Sequence, residues 1–475
     1  MNNKLAAKSI EELAPLLQNK EVSPVDVTEA VLEQAETYNP QINAYIHITR
    51  DKALAASKQA EKEIMAGQYR GPLHGIPMAL KDILYFKDEV ATIGSKIHQD
   101  FTPSYDATVV SKLKEAGVIF TGTLNMHEYA WGATTNNPHF GPCRNPWDIE
   151  KIPGGSSGGS GAAVAADMTI ASVGTDTGGS IRIPASACGI VGLKPTHGRV
   201  SKYGCFPLAW SLDHIGPMTK TVWDAAAMLE VMAGYDSKDP TCVNTPTAPY
   251  TTLLSTDVSR MKIGINEAYF FHNVDPEVEL LIRNGIRLLE QMGAEIISIE
   301  LPTMQYAEFA EMITITSEAS AIHHENLRQR PQDFGDDVRL LLELGEIPSA
   351  VDYLQAQQIR RRLDLEYKQA FEQVDVLLTP TLPILPSFIG QDIVHLNGKD
   401  VSFLDHIIRF TGVGNLTGLP ALSLPCGQSD GLPVGLQIMG PAFREDLVLH
   451  VAYALEQANI MSVKKPDVSK FHVTG

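Results

Sequence analysis

The chain opens on two stretches in which apolar residues recur every three to four positions, each preceded by a helix-start signal. Ser9 with Glu12 forms a capping-box pattern, and Ser23 followed by Pro24 and Asp26 is an N-cap with proline at the first helical position. Two amphipathic helices are expected there. Leu73 to Leu84 then holds an apolar run of strand length whose one deep-looking charge is Lys81. Gly117 to Thr123 is a second buried-strand run, preceded by a helix that ends near Leu113 to Ala116. Thr169 to Gly174 reads as a buried strand, and Ser180 onward as a turn into a short helix ended near Pro184 or Gly189.

Past a polar, Pro- and Thr-rich connection from Thr241 to Asp257, the alternation resumes. Lys262 to Ile265 and Glu295 to Leu301 pattern as strands, with a helix from Glu277 to Met292 between them. Ser317 to Val374 is highly charged and mostly helical. Val374 to Pro380, Leu422 to Pro425 and Val434 to Met439 are the last strand runs. This succession predicts an α/β fold. No internal repeat or low-complexity linker divides the chain, so one large unit over residues 1–475 is expected.

Composition narrows the function. The 475 residues suffice for a large core. Lys+Arg 38 against Asp+Glu 56 leaves a formal charge of −18, which would repel a nucleic acid or an anionic membrane, so neither is expected as a partner. Five scattered cysteines without a C-x-x-C pair indicate neither a disulfide framework nor a zinc knuckle; a reducing, cytoplasmic setting is expected. Met1 to Glu11 lacks an apolar run of signal-peptide length, and every long apolar stretch is interrupted, so no membrane span is expected.

Three features carry chemistry. Pro153 to Gly161 (PGGSSGGSG) is a Gly/Ser loop that exposes backbone N–H groups. It is no P-loop, for no Gly-Lys-Ser/Thr follows; it contains G-x-S-x-G twice, but the residues before it hold two prolines and mixed charges, unlike the strand a nucleophile elbow requires. A flexible surface loop is the plain alternative. Gly174 to Arg182 (GTDTGGSIR) follows a strand and precedes a helix, which would set Ser180 where N–H groups converge; a serine there is either a simple N-cap or a nucleophile beside an oxyanion hole. Lys81 is either a strand-end lysine paired with Asp82 or, desolvated and neutral, a base.

Together these residues resemble the amidase signature family, whose apparatus is a Ser-Ser-Lys triad. The resemblance runs from Ser23 through Gly75-Ile76-Pro77, Lys81-Asp82, the Gly154 to Ser160 loop, Gly174 to Arg182, Gly192 to Thr196, Gly198 to Ser201 and Ser211 to Pro217. It continues in Thr379-Pro380-Thr381, Asn415 to Gly427 and Gly435-Leu436-Gln437. It implies a large mixed β-sheet flanked by α-helices on both faces. Within it, 1–70 would supply N-terminal helices, 71–240 the signature core, 255–380 a variable pocket half, and 381–475 the closing strands and helix. It further implies Lys81 as base, Ser156 as bridging serine after a cis peptide bond, and Ser180 as acylating nucleophile. The N–H groups of Thr177, Gly178, Gly179 and Ser180 would form the oxyanion hole, and Gly154, Gly155, Ser156 and Ile408 would contact substrate. Arg182, Asp176 and Asp213 are expected to brace the loops, and His323 and His324 to face different directions in solvated or supporting roles. No metal or organic cofactor is implied; a homodimer is.

Two kinds of member are in view: a stand-alone hydrolase of small amides, carbamates or esters, and the glutaminase (A) component of a tRNA-dependent amidotransferase. Ser317 to Glu325, Pro331 to Leu342 and Asp352 to Ala356 resemble stand-alone amidases more closely. Ile407-Ile408-Arg409-Phe410 lies where the amidotransferase component would offer an acidic group to a glutamine α-amino group. A stand-alone amidase is therefore expected. A catalytically silent scaffold is the third possibility, opposed by the intact Lys81, Ser156 and Ser180.

Overall fold

The computed structural model describes residues 3–460 and 465–471. The N-terminal reading at Met1 and Asn2, and the parts of the C-terminal segment at 461–464 and 472–475, lie outside the described residues. Eleven strands form one sheet: β1 Tyr45–Ile48, β2 Pro77–Lys81, β3 Ile119–Leu124, β4 Ala171–Asp176, β5 Val191–Lys194, β6 His214–Thr219, β7 Lys262–Ile265, β8 Glu295–Ser298, β9 Val376–Pro380, β10 Ala421–Ser429 and β11 Leu432–Met439. Their spatial order is β1-β3-β2-β4-β6-β5-β10-β11-β9-β7-β8. The sheet is mixed: β3, β2 and β4 run parallel, as do β9, β7 and β8, whereas β4, β6, β5, β10, β11 and β9 are antiparallel to one another in succession.

Alternation along β2 shows how the sheet is covered. Met78 and Leu80 enter the larger apolar cluster with Leu13, Val27 and Val31 of the first helices, whereas Ala79 enters a second cluster with Ala162, Ala163 and Ala185. Helices therefore pack on both faces, and β2 is buried throughout, which its continuous apolar run already implied. The same alternation carries Lys81 to the face of Ala79, that of the helices Gly158–Ala165 and Arg182–Cys188.

The opening helices form as their caps dictate. Ser9 and Glu12 exchange capping-box hydrogen bonds at the start of Ile10–Gln18, and the Ser23 hydroxyl accepts from the Val25 N–H at the start of Pro24–Ile42. The charged stretch expected to be helical resolves into Ala307–Gln329, Asp336–Leu344 and Ala350–Ala370. Arg182–Cys188 ends at Gly189 rather than at Pro184, because proline is tolerated in a first turn and Gly189 adopts the left-handed conformation, φ 72°. Strands β1, β5 and β6 had no counterpart in the hydrophobic pattern. In β5 and β6 glycine and proline interrupt the apolar run, and a side chain at Gly216 would collide with the Leu193 carbonyl.

Candidate active site

Lys81 ends β2, and β4 beside it ends at Asp176, so the carboxyl ends of two parallel neighbours meet at one place, where open α/β sheets present ligands. The Lys81 ammonium is fully buried. It donates to Ser156 Oγ at 2.7 Å and to Thr175 Oγ1 at 2.7 Å. Burial lowers its pKa to about 7; the more distant charges of Asp176 and Asp213 oppose the shift without cancelling it. Asp82 is not its partner. That carboxylate accepts from the N–H and hydroxyl of Thr92, and burial raises its pKa to about 7.

Ser156 follows a cis peptide bond from Gly155. The loop is seated by hydrogen bonds: the Thr135 hydroxyl donates to the Gly154 carbonyl at 2.9 Å, and the His127 N–H to the Ser156 carbonyl at 3.1 Å. The Ser157 hydroxyl donates to the Thr175 carbonyl at 3.1 Å. A Cβ at Gly155 would lie 2.8 Å from the Ala133 carbonyl carbon, so the loop is packed rather than free to move. The residues before it form turns and isolated bridges, not a strand, as the rejection of a nucleophile elbow requires.

The turn from Thr177 to Ile181 is held from beneath. Asp176 accepts the Gly179 N–H at 2.9 Å and the Ile181 N–H at 3.1 Å, and takes a two-pronged pair from Arg182 at 2.9 and 3.0 Å. Arg182, fully buried, also donates to Gln437 Oε1, Asn415 Oδ1 and the Thr411 carbonyl. Burial works to raise the Asp176 pKa, but the Arg182 charge and hydrogen bonds outweigh it and hold the pKa at about 2. Asp213 accepts from the Thr177 hydroxyl at 2.7 Å and from the Leu208 and Ala209 N–H groups. Both carboxylates and Arg182 thus brace the loops.

Thr177, Gly178 and Ser180 line a cleft of about 580 Å³, its solvent-open mouth included. Ile408 lines it too. Gly154, Gly155 and Ser156 do not; all three are buried. Of the four N–H groups assigned to an oxyanion hole, that of Gly179 is engaged by Asp176, whereas those of Thr177, Gly178 and Ser180 have no acceptor among the described residues. The cleft wall is mainly apolar, built from Trp131, Leu208, Met312, Ile315, Leu341 and Ile408. Two carboxyl groups interrupt it, Glu311 inside and the exposed Asp405 at the rim.

Several neighbours went unread in the sequence. Thr175, within the motif Gly174 to Arg182, is the second acceptor of Lys81. Glu311 gave no signal, because it precedes the stretch from Ser317 that reads as helical and a lone glutamate there patterns as solvated. His323 and His324 do point apart, but His323 is buried against Tyr129 at 4.2 Å between ring centroids, with a pKa lowered to about 4 by burial. His324 is exposed and pairs with Glu346.

A family model described as Amidase matches residues 26–449. The chain belongs to the amidase family. The A component of the glutamyl-tRNA(Gln) amidotransferase of Geobacter sp. (strain M21) is 42% identical over 96% of this chain and 98% of its own length. Seven other curated relatives, 39–42% identical, bear the same name. Among solved structures, a chain from an unexpected vestigial protein complex that reveals the evolutionary origins of an s-triazine catabolic enzyme superposes with TM-score 0.92. It is 33% identical and covers 96% of this chain and 100% of that one. The peptide amidase of Stenotrophomonas maltophilia gives TM-score 0.84 at 30% identity, covering 97% and 98%. The lean toward stand-alone amidases read from residues 317–356 is thus not what the curated relatives' names carry, although solved amidases share the fold.

Proposed function

We propose that this member of the amidase family hydrolyses small carboxylic amides, and related carbamates or esters, as a free-standing enzyme whose Ser180 forms an acyl-enzyme. The apolar wall of the cleft at Ser180, with Ile408 in it, is the observation that carries this reading. Ser180 Oγ attacks the carbonyl carbon while its proton passes through Ser156 to neutral Lys81. The N–H groups of Thr177, Gly178 and Ser180 stabilise the oxyanion. As the C–N bond breaks, the same relay returns the proton to the departing nitrogen, so that ammonia or an amine leaves in place of an amide anion. Water then attacks the acyl carbon by the reverse proton path. Lys81, with two hydroxyls as its partners, suits this role because the neutral form it requires is accessible near pH 7. One catalytic domain over the chain, a cytoplasmic setting and a homodimer belong to the same reading.

A second reading is favoured by the names of the curated relatives: the glutamine-hydrolysing A component of a glutamyl-tRNA(Gln) amidotransferase, working with partner chains. Names weigh toward the second reading and the cleft lining toward the first. Ammonia release by the purified single chain from butyramide, ethyl carbamate, an aryl amide and glutamine separates them, with Ser180→Ala beside it. Turnover of the apolar amides, lost in Ser180→Ala, supports the first. Activity confined to glutamine, or appearing once partner chains and tRNA are added, establishes the second.

A further inference from the structure

Glu311 projects from the helix Ala307–Gln329 into the cleft that holds Ser180, and is 5% exposed. Two glycines make room for it. A Cβ at Gly412 would overlap Glu311 Oε2, and one at Gly178 would lie 2.6 Å from Oε1, so its carboxyl group rests directly against the loop that carries the free N–H groups. Among the described residues no group donates a hydrogen bond to either oxygen, and no cation pairs with it. A buried polar group without a partner costs about 1–3 kcal/mol, so a side chain held this way in a ligand cleft calls for a partner from the ligand.

We propose that Glu311 is a specificity-determining residue of this site, hydrogen-bonding an oxygen that the substrate carries beside its scissile carbonyl, as carbamates and 2-hydroxy amides do. This rests on the amide-hydrolase reading and names the substrate class within it. Burial holds the Glu311 pKa well above the ordinary carboxylate range, against the opposing charge of Arg182, and Asp176 and Glu308 raise it further. With no donor and no cation beside it, a carboxyl this buried favours its uncharged form, which has an O–H to donate. An alkoxy oxygen on the acyl carbon, or a hydroxyl on the carbon next to it, would accept that hydrogen, whereas a methylene or methyl in its place would leave the acid unpaired. Butyramide and ethyl carbamate differ by the exchange of a methylene for an oxygen on the acyl carbon, and isobutyramide and lactamide by the exchange of a methyl for a hydroxyl on the neighbouring carbon.

The test is the ratio of kcat/KM within each pair, oxygen-bearing over apolar, in wild type, Glu311→Gln and Glu311→Leu. Wild type should favour the oxygen-bearing partner. Glu311→Gln, which keeps an uncharged donor, should hold the ratio within about threefold, and Glu311→Leu should lower it about tenfold or more. Glu311→Met replaces the leucine variant if that one does not fold. Dissociation constants of the same four ligands, measured in Ser180→Ala and Ser180→Ala/Glu311→Leu, read the preference without turnover. Should wild type cleave none of them, the amide-hydrolase reading fails while the binding ratio still decides the role of Glu311. A ratio unchanged in Glu311→Leu, or no wild-type preference, overturns the proposal. So does tighter binding of a cationic amide such as glycinamide that is lost in both the Gln and Leu variants, since that would make Glu311 an ion-pair partner.

Discussion

Lys81 Nζ and Ser156 Oγ are 2.7 Å apart in a site where Lys81 is fully buried and, among the described residues, has no carboxylate within ion-pair distance. Its hydrogen bonds go to two hydroxyls, which suit a neutral amine as well as an ammonium. Activity that depends on the neutral amine should therefore rise as pH climbs through about 7 and level off above it. The pH profile of kcat/KM for a neutral amide checks this. A profile flat up to pH 10 would contradict it.

The same burial makes Lys81 a liability for stability. With a folded pKa near 7 against 10.5 unfolded, the unfolded chain binds the extra proton between those values, so stability rises with pH across that window. Lys81→Met should therefore be inactive yet more stable at pH 7.5, by about 1–3 kcal/mol after allowing for the lost hydrogen bonds. The gain should shrink toward pH 10. Denaturant titrations at the two pH values measure it.

Asp176 and Arg182 carry the opposite sign. A pKa of about 2, below the ordinary 3.8, means Asp176 contributes stability that is fully present above about pH 4 and lost as pH falls toward 2, roughly 2 kcal/mol in all. Removing one partner leaves the other charge buried alone. Arg182→Met should cost about 3–5 kcal/mol, read as a lowered denaturation midpoint.

Gly179 has φ +130°, and a Cβ there would collide with Thr411 Oγ1. The Thr411 hydroxyl also donates to the Gly178 carbonyl at 2.6 Å, tying the turn to the C-terminal half. Thr411→Val should lower kcat about tenfold with little change in KM or in the circular dichroism spectrum, since one orienting hydrogen bond on a preorganised loop is lost. Steady-state kinetics on a single amide decide it.

Ile408→Ala would enlarge the acyl side of the cleft. Short amides should lose about five- to twentyfold in kcat/KM, and amides with two or three further methylenes should lose less or gain, as expected when apolar contact sets selectivity. A chain-length series on both proteins is the measurement.

Much of this arrangement is legible in the residues alone, and the exceptions share a cause. Strands such as β2 and β9 announce themselves because an uninterrupted apolar run marks a strand buried on both faces, as both are. Strands β5 and β6 do not, for Gly192 leaves room for Ala185 and Gly216 for the Leu193 carbonyl, and a one-dimensional pattern registers such glycines as turns. Lys81, Ser156 and Ser180 stand out through their resemblance to the family's motifs. Glu311 is invisible for the reverse reason: its meaning comes from Gly178 and Gly412, 133 and 101 residues away in sequence, and nothing local separates it from the solvated glutamates of its helix.

The proposed function rests on covalent acylation of Ser180, assisted by Lys81 and Ser156. Intact-mass and peptide mapping after treatment with a serine-directed fluorophosphonate tests it most directly, in wild type, Ser180→Ala and Lys81→Ala. A single adduct on Ser180, absent from Ser180→Ala and formed far more slowly in Lys81→Ala, is the predicted result; no adduct, or one on another serine, would contradict this mechanism.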